Sequence, residues 1–207
     1  MLALLVGLLA AGDVAARAVA ESQLRDRVVA ASGPAGPTTA RIDSFPFLPR
    51  LLASGNVSRI RVGAADVAVE GVTFARVALD LHGVTLDRDV LFSDGKVVLA
   101  DLERGTTTAE VTAEELSERL GVDVTLEAGR VRVRVAGQTV TAAASVNDNT
   151  LRLAVSGFSL PALRIPRLPL LPCVADAEIL AGMVRLTCSV DRLPAELVGR
   201  PLDEIGR

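Results

Sequence analysis

His82 is the only histidine in the 207-residue chain, and it stands two positions after Asp80 in the run V-A-L-D-L-H-G-V. A Ser-His-Asp hydrolase would have to be built around it. The alternation of that run places His82 in its polar phase, as a solvent-facing strand histidine, and no G-x-S-x-G elbow presents a nucleophile. Asp87, Asp89 and Asp94-Gly95 hint at a calcium loop, but Leu91 occupies the third ligand position. One histidine and the separated Cys173 and Cys188 are too few for a zinc site, and no G-x-G-x-x-G or P-loop motif occurs. The expectation is therefore a non-enzyme with no catalytic residue, no metal and no cofactor, built to hold something rather than to transform it.

The two cysteines suggest a different chemistry. An even count in an exported chain points to a disulfide between Cys173 and Cys188. The intervening CVADAEILAGMVRLTC reads as two alternating runs around a turn near Leu180 to Gly182, and such a hairpin sets the two cysteines almost opposite each other. The alternative is a pair of buried free thiols in a cytosolic protein.

The elements that must position these residues are mostly strands. Half of the chain is hydrophobic, chiefly Val, Leu and Ala, with 17 Gly, 10 Pro and only five Phe as aromatics. Period-two alternation runs through Ile60 and Val62; Val67 and Val69; Val77, Leu79 and Leu81; Val131, Val133 and Val135; and Leu151, Leu153 and Val155. Turns are expected at Gly63, Gly71, Gly83, Asp94-Gly95, Gly129, Gly137 and Asn147-Asp148-Asn149, giving about ten strands in an antiparallel meander. A helix is expected over Asp13 to Ala31, with Ala16, Ala20, Leu24, Val28 and Ala31 on one apolar stripe and Arg17, Glu21 and Arg25 beside it. A second covers Ala113 to Leu120, capped by Thr112 with Glu115 three residues on, and a third short one fits Pro194 to Val198.

Charge and targeting narrow the function. With 25 acids against 22 bases the net charge is −3, so no basic excess is available to neutralise a nucleic-acid backbone. Residues 1–12 open with the apolar run MLALLVGLLAA, too short for a bilayer span of about 20 residues but the length of a signal-peptide core. They are read as an export signal or the remnant of a membrane anchor, placing residues 13–207 outside the cytoplasm as one domain, secreted or anchored in the periplasm or cell envelope.

Two apolar segments resist burial in regular structure: SFPFLPRLLASG from Ser44 to Gly55, and LPALRIPRLPLLP from Leu160 to Pro172, whose four prolines exclude a central strand. They are candidate lips of a groove for acyl chains. Removing a methylene from water yields about 0.8 kcal/mol, so a sixteen-carbon chain represents about 12 kcal/mol that a groove can recover. The candidate lipid-contacting residues are Leu24, Val28, Phe45, Phe47, Leu48, Leu51, Leu52, Phe74, Leu163, Ile165 and Leu168. Arg50, Arg164 and Arg167 are candidates for the phosphate headgroup, with Arg41, Arg59 and Arg61 near the first segment.

The order of an export segment, an amphipathic helix, FPFL (Phe45 to Leu48) with a trailing Gly55, and valine-rich strands including V-x-L-x-L-x-G-V (Val77 to Val84) resembles the LmeA-like phospholipid-binding family of actinobacterial cell-envelope proteins. The resemblance runs over roughly Asp13 to Val190. It implies a phospholipid-binding envelope protein with a fold similar to the tubular lipid-binding (TULIP) superfamily, and members linked to assembly of lipid-linked glycans. The expected fold is thus α+β: a highly curved antiparallel meander sheet wrapped around the long N-terminal amphipathic helix, forming a lipid-binding half-barrel. The expected function is phospholipid binding at a membrane surface, extending to lipid shuttling. The alternative is an envelope scaffold with a fully packed core, docking a membrane-bound envelope-biosynthesis enzyme through its exposed apolar segments.

Overall fold

A computed structural model describes residues 2–32, 36–147, 150–155, 158–159, 162–164, 176–195 and 197–201. The chain is α+β. Helix α1 (Leu2–Ser32) is followed by β1 (Thr38–Ile42), α2 (Phe47–Ser54), β2 (Asn56–Val69), β3 (Val72–Leu86), α3 (Arg88–Asp94), β4 (Leu99–Thr112) and α4 (Ala113–Leu120). Then come β5 (Asp123–Glu127), β6 (Arg130–Val135), β7 (Gln138–Asn147), β8 (Thr150–Val155), β9 (Phe158–Ser159), β10 (Leu163–Arg164), β11 (Asp176–Leu180) and β12 (Met183–Val190). One curved antiparallel sheet has the order β1-β2-β3-β4-β12-β11; the other runs β10-β8-β7-β6-β5, with β9 beside β8.

Two of the expected turns are not turns. Gly63 lies inside β2 and Gly83 inside β3, so four short expected strands are two long ones. Their register is constant from Asn56↔Thr85 to Val69↔Val72, but Ser58 with Gly83, and Asp66 with Ala75, drop out of the ladder. Each gap adds one residue to both strands, so the buried phase skips by three in step: Val57 to Ile60 and Ala64 to Val67, opposite Val84 to Leu81 and Val77 to Phe74. The first gap continues into β4, where Glu103 faces Gly83 and the buried phase steps from Leu102 to Gly105. Extra residues in a ladder bend the strand and increase its twist. Gly83 has φ +59°, a left-handed backbone that glycine adopts without strain, and a Cβ there would require the Glu103 side chain, 2.2 Å away at Cδ, to move aside.

The continuous inner face feeds two cores. At one end of the long strands Val72, Phe74, Ala109, Val111, Val184 and Leu186 meet Leu116 and Leu120 of α4 and the second sheet's Val124, Leu126, Val131, Val133, Ala142 and Leu153. At the other, Val57, Leu81, Val84, Leu99 and Leu102 meet Ile42, Phe47, Leu193 and Leu197, with Ala16 and Ala20 of α1 packed against them. The β6 pattern is as the sequence predicts, with Val131 and Val133 buried and Arg130, Arg132 and Arg134 exposed. Backbone bonds clasp the β11–β12 turn between the sheets: Gly182 N–H donates to the Leu126 carbonyl (3.0 Å), and Ala113 N–H to the Gly182 carbonyl (3.0 Å).

The helices differ from expectation in instructive ways. The first is longer than Asp13 to Ala31, but its inward stripe through Ala16, Ala20, Leu24 and Val28 is half-buried as predicted, against β1, β2 and α2. At α4 Thr112 Oγ1 accepts from Glu115 N–H (3.2 Å), as predicted. The carboxylate of Glu115 does not complete the capping box. It accepts instead from Thr73 N–H (3.0 Å) and from Arg119 (3.0 Å), tying α4 to β3. Helices α2 and α3 were not expected. In α2 Pro49 occupies the first turn, where a missing N–H costs no intrahelical bond. In α3 Asp87 is the N-cap, accepting from Asp89 and Val90 N–H. The helix expected at Pro194 to Val198 is a set of turns over its described residues.

Gly55 closes α2 at φ +70°, where a Cβ would stand 2.2 Å from the Leu86 carbonyl oxygen; Gly95 closes α3 at φ +66° in open space. Replacing Gly95 by Ala should cost about 1–2 kcal/mol, the usual left-handed penalty. Gly55→Ala adds a backbone collision and should cost at least about twice as much. Equal losses in urea titrations would show that the contact with Leu86 is not a constraint.

Candidate functional site

Between the two cores the inner face of the long sheet carries smaller side chains. One row crosses it as Ala40↔Val62↔Leu79↔Thr107↔Cys188, and the next as Thr38↔Ala64↔Val77↔Ala109↔Leu186. Gly105 sits in the row on the other side of the first, opposite Leu81. The floor formed by these middle rows mixes alanine, threonine and cysteine with Val62, Val77, Leu79 and Leu186; Ala109 and Leu186 belong to the first core, and Leu79 packs against the second. Val62, Leu79 and Val77 are half-buried there, while Thr107 and Cys188 are buried. Thr107 puts a hydroxyl among alkyl groups, where it can orient a polar atom of a ligand.

The helix beside this floor is held by two carboxylates. Asp13, buried in α1, accepts from Leu48 N–H at 2.6 Å. The N-cap residue of α2 is Pro46, whose side chain makes no capping bond, so Asp13 serves as the cap from another helix. Two turns on, Glu21 accepts from Ile42 N–H at 2.8 Å at the end of β1 and pairs with Arg17 (3.9 Å). Between these anchors α1 presents the small Ala16 and Ala20 to the core, which lets it approach closely.

The sequence-derived site residues divide between several places. Phe45 and Phe47 point apart: Phe45 is 72% exposed, while Phe47 is 5% exposed inside the core beneath α2. Leu48 and Leu51 pack against the same core, and Leu52 is exposed. Phe74 belongs to the other core, with α4 and the second sheet. Leu24 and Val28 are half-buried on α1. Leu163 and Arg164 form β10, an edge strand paired with Leu151 and Thr150, in keeping with a segment too rich in proline for a central position. Ile165, Arg167, Leu168 and Cys173 lie outside the described residues, and Cys188 is on β12. The structure thus brings together α1, α2 and the floor, and separates Phe47 from Phe74. Val62, Leu79 and Thr107 were missed as floor residues. The signal was present in their alternation, but only the register shows which parts of each strand lie between the cores.

Arg50, Arg59 and Arg61 have partners. Arg50 donates to Ser58 Oγ, and Ser58, having left the ladder, also donates its N–H to the buried Ser44 Oγ (3.4 Å). Arg59 holds Asp80 through Nε to Oδ1 (2.8 Å) and a second bond to Oδ2, and Arg61 holds Asp43. These pairs occupy the polar phase, opposite the floor. His82 joins them, with Nε2 3.2 Å from Asp80 Oδ1. Bonding to Arg59 pushes Asp80 below the ordinary carboxylate value, outweighing burial. Glu115 is also lowered, because the Thr73 N–H and Arg119 outweigh its burial. Among the described residues no group of three His, Cys, Asp or Glu side chains could hold a metal.

Two expected outcomes follow from these placements. Phe47→Ala should cost about 3–5 kcal/mol, as for a buried aromatic, whereas Phe45→Ala should stay within about 0.5 kcal/mol. Comparable losses in chemical denaturation would contradict the divergent burial. Because its folded pKa is depressed, Asp80 contributes stability above the ordinary carboxylate pKa and loses it as pH falls through the folded value. Arg59→Gln should therefore be less stable than the parent at neutral pH, with the gap closing in acid; a pH-independent gap would exclude the Arg59–Asp80 pair as its source.

A family model described as LmeA-like phospholipid-binding matches residues 11–198. No curated protein and no solved structure matches the chain.

Proposed function

The chain belongs to the LmeA-like phospholipid-binding family, and from that premise we propose that the floor between its two cores holds phospholipid acyl chains, with α1 as the neighbouring wall. The supporting observation is the uninterrupted apolar face of the long sheet, whose rows carry the small Ala40, Ala64, Thr107 and Ala109 where the two cores adjoin. Each methylene laid on such a floor gains about 0.8 kcal/mol over water, so alkyl length rather than headgroup chemistry sets the affinity. The paired arginines on the opposite face are committed to Asp43 and Asp80, which leaves Arg50, at the sheet's crease beside Ser58, as the described headgroup candidate.

In this reading residues 13–207 work as one lipid-binding domain outside the cytoplasm, in the cell envelope, without chemistry of their own. Residues 1–12 serve as the export signal or anchor. The protein accepts a lipid from one membrane site and releases it at another, and a Cys173–Cys188 bridge ties β12 to the proline-rich segment that precedes the last hairpin. The buried position of Cys188 at the edge of the floor fits that role.

Native mass spectrometry of protein purified from membranes tests this reading. Phospholipid should co-purify, and reduction should add the mass of two hydrogens. Val62→Trp, which fills the floor with an indole, should lower lipid occupancy several-fold while leaving thermal unfolding close to that of the parent. Full occupancy in that variant would remove the floor as the binding site.

A further inference from the structure

Among the described residues, exposed large apolar side chains are confined to one end of the molecule and to α1. Phe45, Leu52, Phe92 and Val198 are each more than half exposed, as are Val14 and Val19 on α1. The described residues of α4 and the second sheet contribute none. The first four come from segments distant in sequence that meet at the α2 end of the long sheet. Arg88 of α3 donates to the carbonyls of Leu52 (2.8 Å) and Ala53 (2.7 Å) at the C-terminus of α2. Gly199 N–H donates to the Leu99 carbonyl (3.3 Å), and Val98 bridges to Pro201, so the turn carrying Val198 lies against the start of β4.

The same end receives the apolar part of α1. Asp13 contacts Leu48 at the N-terminus of α2, and Glu21 contacts β1, so the helix runs toward α2 as it is followed back to its first residues. Beyond Asp13 the segment Leu2–Gly12 carries no charged residue and continues the same unbroken helix. From Ala10 to Val19 every exposed residue of α1 is Ala, Gly or Val. Among the described residues no helix is long and apolar enough to cross a membrane.

We propose that the α2–α3 end is a membrane-docking tip, in which Phe45, Leu52, Phe92 and Val198 enter the interfacial layer of a lipid bilayer around the point where α1 enters it. The rigidity of α1 ties the two together: whatever takes up its apolar first turns must bring this end against the same surface. Aromatic and aliphatic side chains standing out from helix ends suit a soft, disordered interface, which needs no complementary shape. Exposed charges around the tip have both signs, with Arg50, Lys96 and Arg200 beside Asp89 and Asp94. Attachment is therefore apolar and withstands salt, unlike the binding of a polybasic patch to anionic lipid. The long strands then stand away from the bilayer, with the second sheet farthest from it. This inference deepens the lipid-binding reading, because it sets one end of the floor next to the membrane that supplies its ligand.

The chain contains no tryptophan, which makes a single introduced indole a clean reporter. In the full chain, Phe92→Trp should show a blue-shifted emission on adding phosphatidylcholine vesicles, at both low and high salt. Arg132→Trp, on the exposed face of β6, should show none. The combined variant Phe45→Ser, Leu52→Ser and Phe92→Ser should partition onto those vesicles at least tenfold more weakly in co-sedimentation while keeping its unfolding transition. Shifts at both reporters or at neither, or unchanged partitioning of the triple variant, would overturn the tip. So would a parent protein that sediments with protein-containing membranes but not with lipid alone, which would mark a protein partner. So would a parent dimer that the triple variant dissolves without losing vesicle binding. Lipid content separates the two readings: a docking-deficient variant that still carries phospholipid refutes neither, whereas a parent that docks but carries none overturns the floor and leaves the tip standing.

Discussion

A sheet can bend without losing its apolar face only if neighbouring strands bend at the same place. Side chains alternate with period two, so one extra residue on a single strand would turn everything beyond it outward. Here the extra residues come in register. Ser58, Gly83 and Glu103 form one crease across three strands, and Asp66 and Ala75 form a second across two. The apolar phase survives both, and the cores at either end and the floor between them depend on it. Gly83 stands at the centre of the first crease with a left-handed φ of +59°, a conformation strained for other residues.

The crease also explains what was hard to read. Glycine inside a β pattern signals either a turn or a bend, and Gly63 and Gly83 have the spacing of turns. Nothing local distinguishes the two, since the deciding fact is that the opposite strand also leaves the ladder at the same row. Patterns closed within a few residues were legible: the R-V-R-V-R-V of β6, the Thr112 cap of α4 and the inward stripe of α1 all stand as the sequence implies. In α2 the two prolines, Pro46 and Pro49, suggested irregularity. Both fall where a helix N-terminus needs no intrahelical donor, and the missing cap is supplied by Asp13, 35 residues earlier. A capping residue that distant leaves no mark in the local sequence.

The candidate site was legible in kind but not in place. The sequence contains an excess of aliphatic faces for one compact core, and the two proline-punctuated segments drew attention to the α2 region. The structure gives each phenylalanine of FPFL a separate role, with Phe47 fixing α2 to the core and Phe45 left outside. The floor itself is made of residues unremarkable in sequence, such as Val62, Leu79 and Thr107. They stand out only because the strands are long enough to run from one core to the next.

The clasped β11–β12 hairpin has a consequence for how the chain assembles. Strand β12 pairs with β4 from Met183↔Thr112 to Val190↔Gly105, so contacts separated by 71 to 85 residues complete the long sheet. All of the second sheet's chain is synthesised between the two partners. Until β12 arrives, β4 presents a long unpaired edge, with Thr106, Thr108 and Thr112 on one side and Thr107 with the buried Ala109 and Val111 on the other. High contact order of this kind slows folding and prolongs the exposure of such an edge. For this protein the vulnerable interval is therefore the time between making β4 and making β12, before the edge is closed by the β11–β12 hairpin.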